Sequence, residues 1–127
     1  MLIVFIFLNF LMTSNANAEW KKIASNTNGD VMYIDKKTLK IVNNTRYILI
    51  MLDYVNPSEY GDLSSRSYRA INCNNMMWKD LVKDYFTLPL AKGNTSDGSG
   101  TIKNPEWKYS TPDSLGGGLH IKVCEMK

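Results

Sequence analysis

The chain has 127 residues and a formal net charge of +3, which suits one domain with one hydrophobic core. Charged residues make up 21% of it with both signs interspersed, which excludes a disordered tail, and a spread +3 is no nucleic-acid footprint. One His and two Cys leave no ligand set for a dedicated metal centre, and nothing in the composition implies a cofactor.

Residues 1–18 carry no charged side chain. The apolar run Leu2–Leu8 and Phe10-Leu11-Met12 precede a polar stretch and then Ala16-Asn17-Ala18. This pattern predicts a signal peptide cleaved after Ala18, because small residues fit the narrow peptidase pockets. The n-region lacks Lys or Arg, so a buried N-terminal element and an uncleaved anchor are the alternatives. The run is shorter than the ~20 apolar residues a bilayer requires. No later stretch is longer, so no transmembrane segment is expected in a mature chain of residues 19–127. The first mature residue is Glu19 rather than a lipid-accepting Cys, so the protein is expected not to be a lipoprotein. Export places it in the periplasm, at the cell surface or outside the cell.

In the mature chain, short strand-like runs alternate with turn clusters. Trp20–Ala24 is a first strand, and Asn26–Asp30 turns the chain. Val31–Ile34 is a second strand. Asp35–Thr38 reads as another turn and Leu39–Val42 as a further short strand. Asn43-Asn44 is a tight-turn pair. Arg46–Val55 is apolar on both faces, which predicts a central strand covered on two sides. Asn56–Ser64 is a loop. Ser65–Cys73 alternates, with Ile71 on the face of the sulfur. Met76–Leu88 fits a strand better than a helix and pairs as a hairpin with Ser65–Cys73. Residues 92–100 read as a flexible loop. Thr111-Pro112-Asp113-Ser114 resembles a helix start, although Gly116-Gly117-Gly118 weakens a helix by ~1 kcal/mol each relative to Ala. The expected fold is α+β and mainly β: an antiparallel sheet of about five or six strands with a short C-terminal helix.

The two cysteines, Cys73 and Cys124, read as one disulfide in an exported chain, with two free thiols as the alternative. Such a bridge closes a loop of about 50 residues and contributes up to about 4 kcal/mol. No C-x-x-C spacing suggests a redox role.

Each candidate catalytic residue has a simpler structural role. His120 has no partners for catalysis or metal binding and reads as structural or solvated. Asp35 follows a strand and reads as a turn cap. Asp80 and Asp84 have the i, i+4 spacing of paired carboxylates, but Lys79 and Lys83 interleave with them, as on a solvated, salt-bridged face. Lys21-Lys22 and Lys36-Lys37-Lys40 form one basic patch if the first two strands pair. That patch could hold sulfated glycans or other anions, or simply keep an edge soluble. The mature chain holds seven Tyr and three Trp against one Phe, a mixture that suits contact surfaces. Trp78 and Tyr85, with Lys79 and Lys83 for electrostatic steering, are the candidate partner-binding residues. A core position for Trp78 is the alternative.

The ordered set Trp20, Val31-Met32-Tyr33-Ile34-Asp35, Thr38-Leu39, Leu52-Asp53-Tyr54, Ser64-Ser65, Ile71-Asn72-Cys73, Asn104-Pro105-Glu106-Trp107, Pro112-Asp113-Ser114 and Val123-Cys124 resembles the surface-adhesin protein E family of Gram-negative bacteria. The resemblance covers nearly all of the mature chain. It implies a non-enzymatic domain, an antiparallel sheet with a C-terminal helix, and a Cys pair at Cys73 and Cys124. It also implies an adhesin that binds host matrix or serum proteins and can form a homodimer. The chain departs from the pattern in lacking a lipid-anchoring Cys, in having Asn72 where an acidic residue is common, and in its triple glycine. The alternative function is a periplasmic structural or inhibitory protein, such as a blocker of a cell-wall hydrolase.

Overall fold

An eight-stranded antiparallel sheet and one helix make up the computed structural model, which describes residues 18–127. The signal-peptide expectation, apart from Ala18, lies outside the described residues. The strands are β1 (Trp20–Ser25), β2 (Val31–Val42), β3 (Thr45–Asp53), β4 (Ser64–Asn72), β5 (Met77–Leu88), β6 (Lys92–Thr95), β7 (Gly100–Thr101) and β8 (Lys108–Tyr109), followed by helix α1 (Leu115–Cys124). The first six lie in sequence order, and β7 and β8 add to β5. The stretch expected to be a loop, 92–100, therefore supplies β6 and the start of β7.

The expected turn at Asp35–Thr38 lies inside a single long strand. Asp35 pairs with Leu49 and Lys40 with Tyr47, so the intervening residues bulge out of the ladder. Asp35 holds the bulge from within. Its Oδ1 accepts the Lys37 N–H at 3.1 Å, while its carbonyl accepts the Thr38 hydroxyl at 2.7 Å. The Thr38 oxygen in turn accepts the Leu49 N–H at 2.9 Å, replacing a lost ladder bond. Asp35 is thus a local cap, as its place after a run of β-formers suggested. Asn43 makes the β2–β3 turn at φ 53°.

β3 is central, flanked by β2 and β4. One of its faces sends Ile48 and Ile50 into a buried cluster with Met32, Ile34, Ile71, Leu119 and Val123. Leu115, Leu119 and Val123 recur at helical spacing, so α1 presents an apolar stripe to that cluster. Full burial of Leu119 and Val123 contributes ~1.5–3 kcal/mol each. On the opposite face Met51, Ala70 and Phe86 are buried, Tyr47 stacks on Tyr68 with ring centroids 6.1 Å apart, and Arg66 covers Phe86. The second face of β3 is therefore covered by side chains of the sheet itself.

The helix forms despite its glycines. Ser114 caps it by accepting the Gly117 N–H at 3.0 Å. A Cβ on Gly117 would stand 1.9 Å from the Thr111 carbonyl oxygen, so the close approach of the preceding loop requires glycine there. The disulfide joins Cys73, just after β4, to Cys124 at the end of α1. His120 of α1 is buried, with Nε2 3.0 Å from the Asn72 carbonyl.

Candidate functional site

β4 and β5 build the polar part of the helix-side face, rung by rung. Their register places Ile71 opposite Trp78, Arg69 opposite Asp80, Ser67 opposite Lys83 and Ser65 opposite Tyr85. Leu81 is the extra residue. Tyr68 pairs with Val82 and Arg69 with Asp80, so Leu81 has no partner and the strand bulges there. Ordinary alternation puts residues 80 and 83 on opposite faces. The bulge brings Asp80, Lys83 and Tyr85 to the same face as Trp78, and sends Val82, Asp84 and Phe86 to the other. The face is apolar where α1 packs and becomes polar away from it. Among the described residues, no residue of α1 lines the recesses at Lys83 and Tyr85.

The charges on this face are unevenly matched. Asp80 and Arg69 are both buried, and they pair through Nε–Oδ1 at 2.7 Å and Nη2–Oδ2 at 3.3 Å. The Arg69 guanidinium also stacks 3.8 Å from the Trp78 ring centre, and the Lys108 ammonium lies 5.7 Å from the same centre. Lys83 has no ion pair among the described residues, and its ammonium lies 5.4 Å from the Tyr85 ring. Burial pulls its pKa below the ordinary 10.5, with Asp80 opposing and Arg69 and Lys108 reinforcing the shift.

Tyrosines border the row. Tyr54 donates its hydroxyl to Ser65 at 3.0 Å. Burial raises the pKa of Tyr54, against the lowering effect of the Ser65 hydrogen bond. Burial also raises that of Tyr85, with Asp80 and Asp62 adding to the shift. A recess of about 880 Å3 opens beyond Tyr85, lined by Tyr60, Asp62, Ser96 and Asp97 among others. Asp62 is buried there and accepts a short hydrogen bond from Ser96.

The residues singled out in the sequence divide between two faces. Trp78, Lys83 and Tyr85 share the helix side. Trp78 packs partly against the core cluster and donates Nε1–H to Ser110 at 2.7 Å. Lys79 points to the other side, where its ammonium lies 4.4 Å from the exposed Trp107 ring. Asp80 and Asp84 are held by β4 arginines rather than by the interleaved lysines, Asp84 with Arg66 at 3.0 Å. The five lysines of β1 and β2 are all exposed, and Lys37 pairs with Glu19 at 3.3 Å. Lys122 of α1 donates to the Ile23 carbonyl of edge strand β1. Sequence reasoning passed over Tyr54, Ser65, Ser67 and Arg69. The signal was available: polar residues occupy every second position of β4 on the side of Ile71, where a fully covered strand would be apolar.

This fold, with its disulfide-tied helix on an antiparallel sheet, is shared with solved bacterial proteins. The family model for surface-adhesin protein E matches residues 20–125, and the chain belongs to that family. Two solved structures of Haemophilus influenzae protein E share the fold at 18% identity. Crystal form II covers 83% of this chain and 86% of its own, with a TM-score of 0.60. A further structure of that protein covers 83% of each chain at 0.58. No curated protein sequence matches the chain.

Proposed function

We propose that the chain is an exported, non-enzymatic binding domain that contacts a host extracellular-matrix or serum protein through the polar row of β4 and β5. The observation that carries this reading is Lys83, a half-buried ammonium without an ion pair among the described residues, set between Ser67 and Tyr85 beside open recesses. A desolvated cation without a counter-ion costs stability, and such groups concentrate at functional sites. Membership of an adhesin family supports the class of function. The placement of His120, buried against the Asn72 carbonyl, supports a structural rather than a catalytic histidine.

The test is binding of the purified protein to matrix and serum proteins at low and high salt. Lys83→Glu and Lys79→Glu are measured separately, since they probe opposite faces. Micromolar or tighter binding, weakened by salt and by Lys83→Glu, supports the reading. Absence of any partner overturns it. Protection from protease on intact cells would instead favour a periplasmic structural or inhibitory role.

A further inference from the structure

The recess in front of Lys83 measures about 260 Å3, and its walls include Asp80, Tyr85, Asn104, Glu106 and Lys108. Sites that enclose whole small ligands usually occupy ~300–1,000 Å3. This one has room for a single side chain. Its charge is not balanced. Asp80 belongs to the wall, but Arg69 engages both of its oxygens. That leaves Lys83 and Lys108 with one carboxylate, Glu106; Glu106 and Lys108 are both solvent-exposed, whereas Lys83 is partly buried. Arg69, Lys83 and Lys108 are close enough for Lys83 to feel both other cations. An amide or hydroxyl occupant would leave the half-dry ammonium charged and unpaired. A carboxylate would supply a full counter-charge and two acceptor oxygens. The Arg69 fork, which would suit a phosphate, is already engaged by Asp80.

We propose that this recess receives an aspartate or glutamate side chain from an extended acidic segment of the partner, with the carboxylate between the Lys83 and Lys108 ammonium groups. The inference rests on the binding reading above and specifies the partner's chemistry at that site.

The test is an NMR titration of the purified protein, with its disulfide intact, using end-blocked oligo-glutamate, end-blocked oligo-glutamine and inorganic phosphate. Oligo-glutamate should shift the Lys83 ε-methylene and Tyr85 ring signals saturably, and oligo-glutamine should not. Lys83→Met should weaken oligo-glutamate binding by at least about tenfold, whereas Lys79→Met on the other face should change it by less than about twofold. Four outcomes overturn the proposal: equal shifts with oligo-glutamine, tighter binding of phosphate, shifts confined to the β1 and β2 lysines, or Lys83 shifts that follow protein concentration alone, as self-association would give. The titration needs no host protein. Host-protein binding without a glutamate effect overturns the carboxylate assignment alone, and glutamate binding without any host partner overturns the adhesin reading alone.

Discussion

Arg69 and Asp80 face each other across β4 and β5 and close a two-point ion pair, with both side chains only 7% exposed. The pair lies where the apolar core ends and the polar row begins. Trp78 is the next rung on the core side and Lys83 the next on the open side. Arg69 takes both oxygens of Asp80 in hydrogen bonds, so Asp80 acts on Lys83 only at longer range and Lys83 is left without an ion pair among the described residues.

Breaking that pair should be costly. Asp80→Asn or Arg69→Met leaves a buried charge uncompensated and should destabilise the fold by about 3–5 kcal/mol in urea unfolding. The double variant Arg69→Met/Asp80→Leu should recover most of the loss, because it removes both desolvation penalties. A double variant no more stable than the singles would show that the pair is a net source of stability.

Lys83→Met should raise the melting temperature at neutral pH, since it replaces a desolvated ammonium by an apolar chain of similar length. The pH dependence follows from the lowered pKa. Below the folded pKa both states hold the proton and the full penalty applies. As pH rises from there towards 10.5, the unfolded state holds more protons than the folded one, so stability from this group increases. Tyr54 and Tyr85 act in the opposite direction. Their raised folded pKa values leave their contribution intact below pH 10.0 and remove it as pH rises further. Thermal unfolding across the alkaline range should therefore show a gain that Lys83→Met abolishes, followed by a loss that Tyr54→Phe and Tyr85→Phe reduce.

Two glycines of α1, Gly117 and Gly118, should respond in opposite directions to alanine. At Gly118 nothing lies within 4 Å of an added Cβ, so Gly118→Ala should stabilise by up to about 1 kcal/mol through helix propensity. At Gly117 the Cβ meets the Thr111 carbonyl at 1.9 Å, so the same change should destabilise. Thermal melts of the two variants, side by side, check the sign of each.

Mass spectrometry of the exported protein without reductant should find no alkylatable thiol. Cys73→Ser or Cys124→Ser should cost about 2–5 kcal/mol, measured by chemical unfolding. The bridge joins residues 51 apart, so its loss frees the end of α1 from β4.

The central strand (expected at 46–55, found at Thr45–Asp53), the Asn43-Asn44 turn, the Ser114 helix start and the pairing of two cysteines in an exported chain could all be read from local signals. Each depends on residues close in sequence, or on there being one partner to choose. The face that β5 presents could not be read that way. Strict period-two alternation would place Trp78 with Val82 and Phe86, and the Leu81 bulge breaks that parity. A bulge is set by which residues of a neighbouring strand accept the ladder, here Tyr68 and Arg69, and those lie more than ten residues upstream. The same reason turned the Asp35–Thr38 segment into an excursion within β2, because Leu49 offered its N–H to the Thr38 hydroxyl. Gly117 looked like a weakness of the helix until packing brought the Thr111 carbonyl against it. Residue types and local periods determined the elements of this protein. Long-range register decided which side chains share a face, because one unpaired residue in a strand reverses the direction of every side chain beyond it.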